Sequence, residues 1–270
     1  MQKFEEIINY FPINIYNLLK TIINENSFLQ QDLQEIRIRV DRPILLKSRK
    51  SDFVIEYRVN SKEILQILER ICDNSIYAYQ NQMINGFITI KGGHRIGIAG
   101  TAVSEKGRVT NLKYITSLNF RIAREVVNCS NKILGQIIDK EKDSIFNTLI
   151  VSPPGKGKTT VLRDLIRNVS NGIDYYNFKG KTCGVVDERG EIAAMYRGVP
   201  QNDVGIRTDI IENVSKADGI KMLIRSMAPE IIACDEIGSK EDVKAIRRSY
   251  VFRCKRYIYN AWEGYRRHKK

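Results

Sequence analysis

The sequence predicts a parallel α/β domain preceded by a smaller α+β domain. Three observations carry this. The chain has 270 residues, 43% of them hydrophobic, enough for two ordinary domains at roughly 100–200 residues each. Its first half alternates short strand-like segments with a few helical ones. From about residue 147 the rhythm changes to short apolar runs separated by helical stretches, the pattern of a parallel sheet covered on both faces.

Taken in order, the apolar spacing of MQKFEEIINYFPINIYNLL fits an amphipathic helix. Glu5 and Glu6 and the lack of an uninterrupted apolar core set it apart from a secretory signal. EIRIRV, PILLKS and the alternating DFVIEYRV read as strands. Ser61 is the expected N-cap of a helix through KEILQILERICDNSIYAY. Strands return at GFITI, HRIGIAGTAV and YITSLNFRIA. The Gly-rich GGHRIGIAGT lacks a following helix and reads as turns and tight strand packing, with His94 structural. The first domain is expected to span residues 1–142, with IDKEKDSIFN (138–147) as a charged linker. Beyond it, NTLIVS, TCGVVD and EIIACD are short buried-type strands, with helices from Lys158 to Ser170 and from Ser215 to Met227.

Composition narrows the function classes. A charged fraction of 28% and a mean hydropathy of −0.31 belong to a globular protein, and no apolar run approaches the roughly 18 residues of a membrane span. The five cysteines are scattered, with no CxxC, so neither a disulfide framework nor a zinc site is expected, and the reducing cytoplasm is the expected compartment. The net charge of +13 would ordinarily suggest nucleic acid or an anionic membrane. It is uneven, however: residues 247–270 hold nine Lys or Arg against one acid, Glu263.

The strongest local signal is VSPPGKGKTTVLRDLI, a strand running through a Gly-bearing turn and Gly-Lys-Thr into a helix. Backbone N–H groups at such a helix start face phosphates, and Gly155 and Gly157 permit the tight path. Lys158 would reach the β- and γ-phosphates and the Thr159 hydroxyl would ligate Mg²⁺. Ser152 stands where the strict motif has its first glycine. The candidate ATP-binding residues are therefore Ser152, Pro153, Pro154, Gly155, Lys156, Gly157, Lys158, Thr159 and Thr160. A second box, IIACDEIG, ends an apolar strand in Asp235-Glu236, 77 residues beyond Lys158. There Asp235 would hold Mg²⁺ through water and Glu236 could polarise the attacking water. A third, GVVDERGEIAA, ends in Asp187 and Glu188 and would meet the same sheet edge. Arg189, Arg207 and Arg225 lie near these boxes, and an Arg commonly stabilises charge on a transferring phosphoryl group. Arg207 and Arg225 are the catalytic candidates among them.

In this order, EIRIRVDRPILL, GGHRIGIAGTAV, SLNFRIAREV, SPPGKGKTTVLRDLIR, VVDERGEIAA, GIRTDI and IRSMAPEIIACDEIGSKEDVKAI resemble the stage III sporulation protein AA family, related to the ring-forming ATPases of type II and type IV secretion systems. The resemblance implies a P-loop NTPase fold of the RecA and secretion-ATPase kind. It also implies an ATP- and Mg²⁺-dependent ATPase at the base of a secretion-like channel joining mother cell and forespore. Lys158 and Thr159 are then the Walker A residues, Asp235 and Glu236 the Walker B pair, and Glu188 the catalytic glutamate of the acidic box. Arg121 and Arg124 match arginines that the relatives' first domain offers to the nucleotide. The implied partners are further copies of the chain in a ring and membrane-embedded channel proteins, without direct nucleic-acid binding. The implied location is cytoplasmic, peripheral to the membrane on the mother-cell side. A nucleic-acid-directed P-loop ATPase and a non-hydrolysing nucleotide-binding scaffold stand as alternatives.

By this reading the ATPase domain, 143–246, is incomplete, because the resemblance ends at Ile246. The tail RRSYVFRCKRYIYNAWEGYRRHKK holds the only Trp, Trp262, and four of the 13 Tyr. Back-translated with A/T-leaning codons and shifted by one nucleotide, it can read EEAMYLGVKGIYTMHGKDIEDIK, a family-like continuation. That points to a frameshift near Ile246–Arg247. The chain as written is then expected to lack the strand after Asp235-Glu236, exposing apolar surface and unpaired edges.

Overall fold

The computed structural model describes residues 2–153, 155–237, 240–249 and 256–261. The chain divides into two compact units, Met1–Arg124 and Glu125–Lys270.

In the first unit the N-terminal apolar stretch is two helices, not one: α1 (Gln2–Ile8) and α2 (Ile13–Glu25). Pro12 is the N-cap of α2; a proline cannot continue the first helix because it lacks the N–H and clashes with the preceding turn. α3 (Ser27–Asp32) follows, then β1 (Leu33–Arg39), β2 (Pro43–Ser48) and β3 (Asp52–Arg58). Next come α4 (Ser61–Ile71), α5 (Gln80–Ile84), β4 (Phe87–Thr89), β5 (Arg95–Glu105) and β6 (Arg108–Arg121). The N-cap of α4 is Asn60, one residue before the expected Ser61. Its side chain accepts the Glu63 N–H while Glu63 accepts the Asn60 N–H, a reciprocal capping box.

The six strands form an antiparallel sheet in the order β3-β2-β1-β6-β5-β4. The period-two pattern explains its single dry face. Ile36, Ile38, Ile44, Leu46, Ile96, Ile98, Leu118 and Phe120 are buried with Ile15, Leu19 and Ile23 of α2 and Ile64, Ile67 and Leu68 of α4. β5 and β6 join at Lys106-Gly107, both with positive φ, the requirement of a two-residue hairpin turn matched to strand twist. His94 is buried and its Nδ1 accepts the Ala123 N–H at 3.0 Å, a structural role.

The second unit opens with α6 (Asn131–Ile137), β7 (Ile138–Asp139) and β8 (Ser144–Ile145). The stretch expected to be a linker is thus a small hairpin, with Ile138 and Ile145 in the core of the second unit. The boundary accordingly lies at 124/125, not 142/143. The reason is Asp164, a buried carboxylate that accepts Asn128 N (2.9 Å), Ser130 N (2.8 Å) and Ser130 Oγ (2.6 Å) and pairs with Arg167 at 2.7 Å. Burial alone would raise its pKa, but these hydrogen bonds outweigh it and hold the carboxyl below its ordinary value. A depressed carboxylate stabilises the fold above the ordinary carboxyl range, near pH 4, and that contribution is lost as pH falls through the folded value. Asp164→Asn is therefore expected to cost about 3–5 kcal/mol at pH 7 and to flatten the loss of stability below about pH 4. Urea unfolding at several pH values measures both. An unchanged acid slope would mean that another carboxyl carries it.

The chain continues through β9 (Thr148–Val151), α7 (Lys158–Asn171), β10 (Gly172–Ile173), β11 (Phe178–Lys179) and β12 (Cys183–Asp187). It ends with β13 (Thr208–Glu212), α8 (Lys216–Ser226), β14 (Ile231–Ile237), α9 (Lys240–Ser249) and β15 (Arg256–Ala261). Five strands make an all-parallel sheet ordered β13-β12-β14-β15-β9. All five residues of β12 are buried, as a strand covered on both faces requires.

β15 corrects the expectation of a missing strand. RYIYNA pairs with β14 on one side and β9 on the other, with Ile258 and Tyr259 buried. Aromatic and β-branched residues suit a pleated, half-buried surface, and Ile258 and Tyr259 supply them despite the basic composition around them. Trp262 and the rest of the tail beyond Ala261 lie outside the described residues.

Candidate nucleotide site

β9 ends at Val151 and the chain turns into α7 at Lys158. Gly155 (φ 73°) and Gly157 (φ 85°) are left-handed, a conformation open to glycine at little cost. Gly157, the N-cap of α7, has no side chain to cap the helix, and among the described residues no capping side chain occupies its first-turn N–H groups, where the helix dipole favours an anion. Lys158 reaches back across the loop, its Nζ donating to the carbonyls of Ser152 (2.8 Å) and Pro153 (3.3 Å). Lys156 is exposed, and Thr159 and Thr160 are half-buried in the first turn. Pro154 lies outside the described residues.

The acids gather at the C-terminal ends of neighbouring strands. β12 and β14 are parallel, with Val186 beside Cys234, so Asp187 and Asp235 follow on one edge. Asp187 is fully buried and accepts the N–H groups of Glu191 (2.8 Å), Ile192 (3.1 Å) and Ala193 (2.9 Å). It folds the loop after β12. Asp235 is also buried; its Oδ2 accepts Arg189 N at 3.2 Å, and its Oδ1 lies 3.0 Å from Lys216 Nζ. Lys216, the first residue of α8, is buried too and bonds Glu188 with the same ammonium. Glu236 is more exposed and forms an ion pair with Arg189 at 3.5 Å.

These neighbours explain the protonation behaviour. Burial pushes Asp235 up to about 6; the Lys216 charge pulls down and the Asp187 charge pushes up. Burial would lower Lys216, yet its bonds to Glu188 and Asp235 outweigh that and hold it above its ordinary value. Glu212, beside Asp187 across the β12–β13 ladder, is raised by burial and by the Asp187 charge.

The glycine loop after β9 and the acids share an edge because β9, β15, β14 and β12 all run in one direction. β15 stands between β9 and β14, which spaces the two boxes by about two strand widths, roughly 9.5 Å. A second tie comes from Arg163 of α7, which donates to the carbonyls of Ile192 (2.6 Å) and Glu191 (2.8 Å) and so joins the loop helix to the Asp187 turn.

Two expected arginines do not join the site. Arg207 precedes β13 at the opposite edge of the sheet, where its guanidinium donates to the Ser170 and Asn171 carbonyls at the C-terminal end of α7. That is the far end of a 14-residue helix, about 21 Å from the loop. Arg225 is exposed in the last turn of α8, about 13 Å along the helix from Lys216. Each is favourable where it stands, next to carbonyls at a helix C-terminus. Arg121 and Arg124 belong to the first unit. Arg121 lies 3.9 Å from Glu35, and Arg124 donates to the Leu33 carbonyl at 3.0 Å beside Asp32.

Sequence reasoning missed Lys216 and Arg163. One signal was available for Lys216: a cation in the first turn of a helix opposes the helix dipole, which asks for a compensating anion. The residues fit a magnesium nucleotide. Among the described residues no group of three or more His, Cys, Asp or Glu could hold a metal, whereas Mg²⁺ is commonly bound by one or two carboxylates plus substrate phosphates. A loop of open N–H groups, the Thr159 hydroxyl and Asp235 form that kind of donor set.

A family model described as "Sporulation stage III, protein AA" matches residues 1–266, continuing past Ile246, where the resemblance read from the sequence ends. Stage III sporulation protein AA of Bacillus subtilis (strain 168) is 39% identical over 241 residues, covering 89% of this chain and 76% of that protein. The uncharacterized protein ycf45 of Cyanidium caldarium is 27% identical over 203 residues, 73% of this chain and 51% of its own length. Among solved structures, the Legionella pneumophila ATPase DotB aligns with a TM-score of 0.53 and 16% identity, over 85% of this chain and 62% of its own. The pilus retraction motor PilT, solved with bound ADP, aligns with a TM-score of 0.55 and 14% identity, over 89% of this chain and 65% of its own. At such identities the likeness is one of fold. This chain spans a little under two thirds of the length of either solved chain. Among the described residues no helix is long and apolar enough to cross a membrane.

Proposed function

The chain belongs to the sporulation stage III protein AA family, and from that premise we propose that it is a P-loop ATPase, binding and hydrolysing ATP with Mg²⁺ in its second unit. The observation that supports this best is the shared edge: the Gly155–Thr159 loop and the acids Glu188, Asp235 and Glu236 all lie at or just beyond the C-terminal ends of parallel strands of one sheet. The open N–H groups of α7 and Lys158 bind and orient the phosphates. Thr159 and Asp235 would hold the magnesium, which would supply charge neutralisation to the phosphates. Glu188 orients the attacking water and accepts its proton, with Glu236 as the neighbouring carboxylate. The burial of Asp187 and Asp235 keeps this edge preorganised.

The family and the fold support a larger setting for the same chemistry. Copies of the chain assemble as a ring, a closed homo-oligomer of the kind most soluble assemblies adopt. The ring serves channel proteins of the sporulation envelope from the cytoplasmic, mother-cell side.

The test is hydrolysis by the full chain, with and without Mg²⁺, beside Glu188→Gln. Expected are Mg²⁺-dependent turnover in the parent and, in the variant, nucleotide binding kept within about threefold with turnover lowered about 100-fold or more. A parent that binds ATP without turnover would establish the scaffold reading instead.

A further inference from the structure

We infer that Lys216 is a positioning residue of this ATPase site: its buried ammonium bridges Asp235 and Glu188 and fixes the spacing between the metal-holding and water-orienting carboxylates. The inference rests on the reading of the site as an ATPase.

Lys216 is only 5% exposed. Its Nζ lies 3.0 Å from Asp235 Oδ1 and also bonds Glu188 Oε2. The two acids come from different strands, β12 and β14, and the lysine from a third element, the start of α8. A lysine of general structural use would extend to solvent or pair with one surface acid, since exposed pairs contribute little. Here a strongly hydrated cation is taken out of water, a desolvation cost that only close pairing with both carboxylates offsets. It stands in a helix first turn, against the dipole.

Neighbouring contacts leave Glu188 dependent on it. Asp187 has committed both oxygens to the turn's N–H groups, and Asp235 Oδ2 to Arg189 N. The Glu188 side chain is 40% exposed, and the ammonium is the partner that draws it toward Asp235. An exposed glutamate without such an anchor samples several rotamers, each displacing the carboxylate from the geometry that in-line attack requires. Mobile Asp235 is not the concern; its strand and burial hold it. The lysine's effect is therefore expected at Glu188.

The test is a double-mutant cycle in the full chain, with Lys216→Met, Lys216→Arg, Glu188→Gln and the Lys216→Met/Glu188→Gln pair. Nucleotide affinity, turnover and urea unfolding are measured on each. Expected for Lys216→Met is ATP affinity within about threefold of the parent and turnover lowered about 100-fold, with partial rescue by Lys216→Arg, which keeps the charge. In the Glu188→Gln background the same substitution should lower turnover less than threefold further, because the group it positions is already gone. Multiplying losses in the pair, or coupling seen in unfolding alone, would overturn the positioning role and leave Lys216 a stabilising ion pair. A parent without ATP binding would instead sink the ATPase reading, and this role with it. A folded Lys216→Met chain with parental turnover would overturn this role alone.

Discussion

Lys158→Ala is expected to weaken ATP binding at least tenfold and to lower turnover by about 100-fold or more, with little change in stability. Lys158 is half-buried, and its ammonium spans the loop to the carbonyls of Ser152 and Pro153. In the proposed ATP complex it would be the cation that meets the β- and γ-phosphates. Charge-assisted hydrogen bonds contribute about 1.5–3 kcal/mol each, and 1.4 kcal/mol corresponds to a factor of ten in affinity. The two carbonyl contacts sit at a solvent-accessible loop, so their loss costs folding little. Binding of a fluorescent ATP analogue, together with thermal unfolding, separates the two effects. Parental affinity in a folded Lys158→Ala chain would remove the phosphate-loop assignment.

The second large effect concerns the tail. Ile258 is fully buried at the centre of β15, paired to Ala233 of β14 and Thr148 of β9. Ile258→Ala should cost about 2–5 kcal/mol, which in a unit of this size lowers Tm by roughly 5–20 °C. Leu149→Ala, at a 55% exposed position on the edge strand β9, is the control and should cost under about 1 kcal/mol. If Ile258→Ala leaves Tm unchanged, RYIYNA contributes nothing to the sheet and the sequence-based expectation of an anomalous tail stands.

Much of this molecule was legible from local pattern. The alternation in EIRIRV and SLNFRIA marks the dry face of the first sheet, and Ile36, Ile38, Leu118 and Phe120 are buried together there. The strand–turn–helix around Gly155–Thr159 was readable because a tight turn and a helix start are both local events. The acidic box at Asp187 was readable as a strand end, because the apolar run of β12 stops there, whereas β14 runs on through Asp235 and Glu236 to Ile237. Other features were hidden. TDIIE became the edge strand β13, with half-exposed residues and no continuous apolar run. The charged stretch 138–147 concealed two buried isoleucines, Ile138 and Ile145.

The sequence by itself determined the elements that depend on neighbours along the chain: the periodicity of strands and helices, the glycine turn, and the chemical types offered at each strand end. It also carried the family membership. Only the tertiary structure decided which of those groups meet. It withdrew Arg207 to the far end of α7 and Arg225 to the far end of α8, brought Lys216 between Asp235 and Glu188, and inserted β15 between β9 and β14. The physical reason is the same in each case. A buried charge takes its partner by proximity in space, and a strand takes its place by pairing on both edges, so neither is recorded in the spacing of residues along the chain.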